Sequence, residues 1–338
     1  MTVVIIGATG AMPLIGCTAP AHKSATHHVS SHRDHGTGHV RRPSRHYVTK
    51  IVLGDGPVFG IYRPKLPGDR KVTAWITRTL HPEIVEIYTK FGTRFKTWSV
   101  RINRSHGAMT LVQLDPWTVP LYRIASGKYD AYLRRYARAV AALRFRIGFS
   151  FAHEMNGQWY PWDYSKGGPA HFVAAWRRIH RIFRQMHATN VTWVWTINKL
   201  YRRDSRAIAQ VTREDWPGKG YVNWVGVDGY FRFPGEPYGR VMTPTLRLIR
   251  TITKKPVLLA ETAVYPNAIR DLQMRELFAG IRRDHLLGFI YFDGNARRKW
   301  SLHGKEISRM TALLRRYGYK QLGCNRARHI CKPVRRTM

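Results

Sequence analysis

The stretch FSFAHEMNGQWYPW, Phe149 to Trp162, decides how the chain is read. It begins as an apolar, aromatic run, as a buried strand does. It then delivers His153, Glu154 and Asn156 together, followed by Trp159, Tyr160 and Trp162. A strand that ends in an acid flanked by a histidine, an amide and a cluster of rings suggests a sheet whose strand ends carry chemistry. Such an acid needs a partner elsewhere in the chain.

Working outward, short apolar runs alternate with amphipathic helical stretches from Lys50 onward. The runs that read as strands are VFGIY (58–62), FKTWSV (95–100), MTLVQL (109–114), FRIGFSF (145–151), VTWVWTI (191–197), VNWVGVDGY (222–230), PVLLAE (256–261) and GFIYFD (288–293). Helical spacing of apolar residues marks 128–143, 171–186 and 268–283. In the first of these, Arg134, Arg135 and Arg138 fall on the outer face. Eight such strands alternating with helices predict an α/β fold, a (β/α)8 TIM barrel. An open doubly wound sheet gives the same alternation. No G-x-G-x-x-G and no P-loop follows a strand, so the nucleotide fingerprints of open sheets are missing.

A barrel places chemistry at the C-terminal ends of its strands. Those ends carry Asp115, then His153, Glu154 and Asn156, then Trp195 and Asn198, then Asp228 and Tyr230, then Glu261, then Asp293 with Trp300 beyond it. Glu154 and Glu261 fall on strands four and seven, on opposing arcs of one mouth. Two carboxyl groups flanking a glycosidic bond are the minimal equipment for glycoside hydrolysis. Burial and mutual repulsion push their pKa values apart, so that one donates a proton while the other attacks. Trp and Tyr offer flat faces to sugar rings. No metal ligand set and no cofactor is expected.

The segments HEMNGQWYPW, WVWTIN, YVNWVGVDGY and PVLLAET resemble the successive strand-end motifs of glycoside hydrolase family 26. The resemblance covers about Val58 to Trp300. It implies a retaining (β/α)8 enzyme, mainly an endo-β-1,4-mannanase, with β-glucanases and β-xylanases in the same family. It further implies Glu154 as acid/base and Glu261 as nucleophile. His153 corresponds to the histidine beside the acid/base, Trp159 to an aromatic beside the scissile bond, and Trp300 to a stacking platform. Tyr230 corresponds to a tyrosine that orients the nucleophile. Asn156, Trp162, Trp195 and Asn198 are assigned to the pocket wall on position alone.

Other readings weigh against individual residues. Asp228 is more often a barrel-top support than a catalyst. Trp193 and Trp195 point the same way and suit a core. Asp115 suits a loop cap, and His106 a solvated loop. Two other function classes compete. One is a polyanion or nucleic-acid binder using the charge. The other is a non-catalytic carbohydrate-binding relative, which the presence of both glutamates disfavours. No RNA-binding or helix-turn-helix pattern is present, so no specific nucleic acid is expected. The expected partner is a polysaccharide, the expected state a monomer.

The chain has 338 residues, a formal net charge of +37 and 12% aromatic residues. Such a field attracts anionic cell-envelope polymer or lipid, or else reflects arginines spread over solvated helix faces. Residues 1–17 read as a lipoprotein-type signal segment ending in Leu14-Ile15-Gly16-Cys17, which predicts an extracellular or cell-surface lipoprotein. Residues 18–47 are rich in His, Ser and Arg and read as a disordered linker. Residues 48–320 form the expected barrel, and 321–338 a basic tail. Cys324 and Cys331 there have a spacing that suits a disulfide in an oxidising compartment, while the remaining ligands of a zinc site are absent.

Overall fold

The structure, a computed structural model, describes residues 56–200, 205–294, 300–319, 322–325 and 330–333, the last two segments by backbone alone. The signal segment and linker expected over 1–47 lie outside the described residues. Strands β1 (Val58–Tyr62), β2 (Ile84–Lys90), β3 (Met109–Asp115), β4 (Ile147–Phe151), β5 (Val191–Asn198), β6 (Trp224–Asp228), β7 (Val257–Thr262) and β8 (Gly288–Phe292) pair in sequence order, all parallel, and β8 closes on β1. The expected TIM barrel is therefore the observed fold. Around it run helices α1 (Arg70–Leu80), α2 (Thr97–Ser105), α3 (Leu121–Ala125), α4 (Asp130–Ala141), α5 (Pro169–Gln185), α6 (Ser205–Glu214), α7 (Tyr238–Ile252), α8 (Arg270–Arg283) and α9 (Lys305–Arg316). Beyond them, β9 (Leu322–Asn325) and β10 (Ile330–Pro333) form an antiparallel pair in which Cys324 and Cys331 are ladder partners.

One expected strand is misplaced. The segment 95–100 leads into α2, and the second strand is IVEIYTK, 84–90. Trp, Thr and Val favour strands, but here Ser99, Val100 and Asn103 fall on one buried helical stripe and Trp98 is left exposed on the other side. The true strand was hidden by Glu86, a carboxylate in the middle of an apolar run. It is tolerated inside the barrel because Gln113 donates to it at 2.8 Å.

Side chains alternate along each strand. Phe59, Ile61, Val85, Ile87, Phe149, Phe151, Trp193, Trp195, Val225, Val227, Leu259 and Phe289 join the core shared with the helices. Val58, Ile84, Met109, Leu111, Val194, Leu258, Ala260 and Ile290 fill the floor of the barrel. Above that floor the interior turns polar, with Ser150 donating to Thr196 at 3.0 Å beside the Glu86–Gln113 pair. Space there is tight: a Cβ at Gly226 would lie 2.6 Å from Thr196 Oγ1.

Strand β7 breaks the alternation. Gly226 and Asp228 on β6 pair with Leu258 and Glu261, and Phe289 and Tyr291 on β8 pair with Leu259 and Thr262. Relative to both neighbours, β7 carries one extra residue before Glu261. This is a bulge, the device that re-aims a side chain next to a functional site. Ala260 faces the interior, so strict alternation would turn Glu261 outward. Instead Glu261 meets Tyr88 and Tyr230 at the mouth.

Candidate active site

The loop after β4 presents the first carboxylate. Ala152 and Glu154 both adopt left-handed backbone, with φ of 50° and 53°. A non-glycine residue holds that conformation at a cost and needs surrounding contacts to keep it. Here Ala152 N donates to Leu114 O on β3 at 3.1 Å, and Glu154 N donates to Thr196 O on β5 at 2.9 Å. The loop is thus tied to the strands on either side, and Glu154 is turned over the barrel mouth.

The Glu154 carboxyl group is buried and holds two donors. Trp159 Nε1 donates to Oε2 at 2.7 Å, and the Asn198 amide donates to Oε1. Burial raises its pKa to about 7, with the negative field of Glu261 adding to the rise and His153 and the two donors opposing it. Near neutral pH this group can therefore give or take a proton.

Glu261 is held differently. Tyr88 on β2 donates to Oε1, and Tyr230 after β6 donates to Oε2. His153 Nε2 stands 3.9 Å from Oε1. Burial alone would lower the His153 pKa, but the adjacent carboxylate of Asp115, then Glu261 and Glu154, raise it to about 10. Asp115 Oδ1 holds His153 Nδ1 at 2.8 Å, and the hydroxyl of Tyr160 lies 3.2 Å from Nε2. An imidazolium at this place offsets part of the negative charge gathered at the mouth.

Asp228 is fully buried, and among the described residues neither of its oxygens has a hydrogen-bond partner. Burial, then the fields of Glu261 and Glu154, hold its pKa well above the ordinary carboxylate range. His153, Asp228 and Glu261 bring potential ligand atoms within 4.8 Å of one another. Two of these groups are already committed, however, His153 to Asp115 and Glu261 to two tyrosines. The arrangement reads as acid–base machinery.

An aromatic wall stands beside this centre. Tyr160 stacks on Trp162 with ring centroids 4.4 Å apart, and Trp117 meets both edge-on. Trp159 and Trp117 are 42% and 47% exposed. On the opposite side Trp300 packs 5.0 Å from Tyr230, which itself touches Phe292.

Three comparisons bear on this barrel. Residues 127–271 match the family described as Glycosyl hydrolase family 26. Endoglucanase H of Acetivibrio thermocellus is 27% identical over 215 residues, which is 59% of this chain and 23% of that protein. The chain thus spans about a quarter of the length of this curated relative. Over residues 127–271 this barrel is thus similar to glycosyl hydrolase family 26. Two solved structures share the fold. The β-mannanase BoMan26A of Bacteroides ovatus is 16% identical with a TM-score of 0.58, covering 78% of this chain and 90% of that one. A modular endo-β-1,4-mannanase of Cellulomonas fimi is 15% identical with a TM-score of 0.59, covering 76% and 70%.

Within this barrel, Glu154, Glu261, His153, Trp159, Asn198 and Tyr230 are brought together at the mouth, with Trp300 beside Tyr230. Three residues assigned to the pocket wall sit elsewhere. Trp195 is fully buried on the helix side of β5 against Trp216, because its odd position in the alternation faces outward. Trp162 is buried behind Tyr160 and donates to the His153 carbonyl at 2.8 Å. Asn156 is buried beneath the loop and bonds to Asn198 and Thr212. All three support the site from behind.

The sequence reading left Tyr88 and Glu86 unassigned, gave Tyr160 no role beyond the aromatic cluster after β4, and weighed Asp115 as a strand-end group against a loop cap. Tyr88 and Glu86 were lost with β2. The signal that could have found Tyr88 is the period-two row Ile84, Glu86, Tyr88, which places it at the same end of the barrel as Glu261.

Proposed function

We propose that this chain is a retaining endo-β-glycanase that hydrolyses β-1,4-mannan-type polysaccharide by double displacement. The observation that carries the proposal is the unlike setting of the two carboxyl groups. Burial and a neighbouring charge keep Glu154 near neutrality at pH 7, while Glu261 is gripped at both oxygens by phenolic donors. Environments that separate two acids in this way assign the roles of proton donor and nucleophile.

In the first step Glu261 attacks the anomeric carbon as the glycosidic C–O bond breaks. Glu154 gives its proton to the departing oxygen. The sugar is left as an ester of Glu261, and Glu154 as a carboxylate. In the second step Glu154 takes a proton from water, whose oxygen attacks the anomeric carbon and releases Glu261. Tyr88 and Tyr230 orient the nucleophile, and Trp159 and Asn198 fix the acid/base.

The choice of mannan leans on the mannanase names of the structural relatives. A β-glucan backbone is the second reading, favoured by the name of the sequence relative, an endoglucanase. Product analysis on galactomannan, glucomannan, lichenan and xylan decides between them, with internal cleavage expected from the start. Proton NMR of the first-formed reducing ends tests the mechanism: retained β-anomer is expected, and an α-anomer appearing first overturns it. Glu261→Ala should lose all turnover, whereas Glu154→Ala should still form the ester from aryl glycosides with good leaving groups.

We also propose, on sequence grounds, that the enzyme is a monomeric cell-surface lipoprotein anchored through Cys17. Replacing Cys17 by Ser and comparing membrane and medium fractions tests the anchor.

A further inference from the structure

Helices α4 and α5 flank β4 on the outside of the barrel. Together they contain seven arginines, Arg134, Arg135, Arg138, Arg177, Arg178, Arg181 and Arg184, against one carboxylate, Asp130. That carboxylate is already spent. Arg178 holds both its oxygens, at 2.7 and 2.9 Å, which ties the two helices together. Arg134 closes the same seam by donating to Gln185 at 3.1 Å, and Arg177 is fastened to Pro217 O at 2.9 Å.

Four arginines remain: Arg135 and Arg138 on α4, and Arg181 and Arg184 on α5. All four are exposed, and none forms an ion pair among the described residues. On an α-helix, residues three apart lie on one face, so each helix shows a pair of guanidinium groups outward. Residues between Arg181 and Arg184 rise about 4.5 Å along the axis, well inside the Debye length of about 8 Å at physiological salt. The charges therefore act as one field. The other exposed positions of these two helices are Ala131, Ala170, His171, Ala174, Arg177 and Gln185. No large apolar side chain stands there to enter a lipid bilayer.

We propose that the α4–α5 face binds a linear acidic polysaccharide whose repeating units carry carboxylate groups. The guanidinium fork matches a carboxylate with two parallel hydrogen bonds. Exposed Ala131, Ala170 and Ala174 carry no bulk on the same two helices and leave room for an extended chain. Choosing a polysaccharide over other polyanions rests on the glycanase reading of the barrel mouth. The face would hold the enzyme in an acidic glycan matrix while the mouth works on its own substrate.

The test uses full-length protein carrying Glu261→Ala, so that binding is read without cleavage. Retention on immobilised polygalacturonate is measured over a salt gradient, with neutral glucomannan and double-stranded DNA as parallel columns. The face variant is Arg135→Glu, Arg138→Glu, Arg181→Glu and Arg184→Glu. A charge-matched control carries Arg247→Glu, Arg275→Glu, Arg282→Glu and Arg316→Glu on α7, α8 and α9. Near-UV circular dichroism confirms that each protein is folded, and single Arg181→Glu and Arg138→Glu proteins replace the face variant should it not fold. The expected result is retention of the parent and the control on polygalacturonate, with at least tenfold weaker binding of the face variant, or a graded loss in the single variants. Equal loss in the face variant and the control overturns the proposal, because net charge alone would then explain binding. Equal or tighter retention on DNA overturns the assignment to polysaccharide. Failure of the glycanase reading would instead appear as inactivity of the wild type with this binding intact.

Discussion

Asn156 closes on the backbone of Asn198 from both sides: its Oδ1 accepts from Asn198 N at 2.8 Å, and its Nδ2 donates to Asn198 O at 3.0 Å. Asn198 in turn donates its own amide to Glu154. Asn156 thus reaches Glu154, the proposed acid/base, through one intermediary. Asn156→Ala should release Asn198 and remove a bond that holds the Glu154 pKa down. The expected outcome is a fall of about tenfold in kcat, within the range set by a displaced general acid, and a basic limb of the pH–rate profile moved upward. A merely structural residue would lower the amount of active enzyme and leave that limb in place.

The pH profile itself follows from Glu154. In the proposed mechanism it must be protonated to begin the reaction, and burial raises its pKa to about 7. Activity should fall as pH rises through that value. Stability follows the same sign. Unfolded Glu154 ionises near the ordinary glutamate value, while the folded group keeps its proton to about pH 7. Folding is therefore favoured fully below the unfolded value and loses ground as pH climbs between the two. Glu154→Gln should match the wild-type melting temperature at pH 4 and exceed it at pH 8.

The two phenols on Glu261 make a second mechanistic prediction. Tyr230→Phe and Tyr88→Phe each remove one donor from Glu261, the proposed nucleophile, while preserving ring contacts. Each should lower kcat about 10- to 100-fold by losing a charge-assisted hydrogen bond at the reacting group. The double variant should lose less than the product of the two, since both act on one carboxylate. Steady-state kinetics on an aryl glycoside and on polysaccharide would check this.

Cys324 and Cys331 pair across the β9–β10 ladder. Directly opposed residues in antiparallel strands have Cα atoms about 4.5–5.5 Å apart, within reach of a disulfide. Protein purified from an oxidising compartment should resist alkylation at both cysteines until reduced. Peptide mass analysis before and after reduction would settle the pairing.

Much of this molecule was readable in its sequence, for identifiable reasons. The strands ending in Glu154, Asn198, Asp228 and Glu261 are long apolar runs bounded by polar residues, and burial on both faces requires that pattern in a parallel sheet. The strand bearing Tyr88 was obscured, because Glu86 is an interior acid whose partner, Gln113, lies on the next strand. A single run of sequence cannot display a partner that only the fold supplies. Trp195 was placed on the wrong side for a related reason. Its position near a strand end suggested the pocket wall, but alternation from Trp193 directs it to the helix side. Asp115 shows the reverse case, an apparent loop cap that proves to be the carboxylate behind His153.

The extra residue in β7 makes the reach of Glu261 a matter of odd and even. Every other interior group of the barrel arrives by the plain count of a strand. Glu261 arrives with the count off by one against both neighbours. Substitution at Ala260 would alter only the size of what lies there. Deletion of Ala260 would remove the extra residue and leave Glu261 two places after inward-facing Leu258, opposite Asp228 and still turned toward Tyr88 and Tyr230. What the surplus place adds is Ala260 itself, a second inward side chain set directly before the glutamate on one face of one strand.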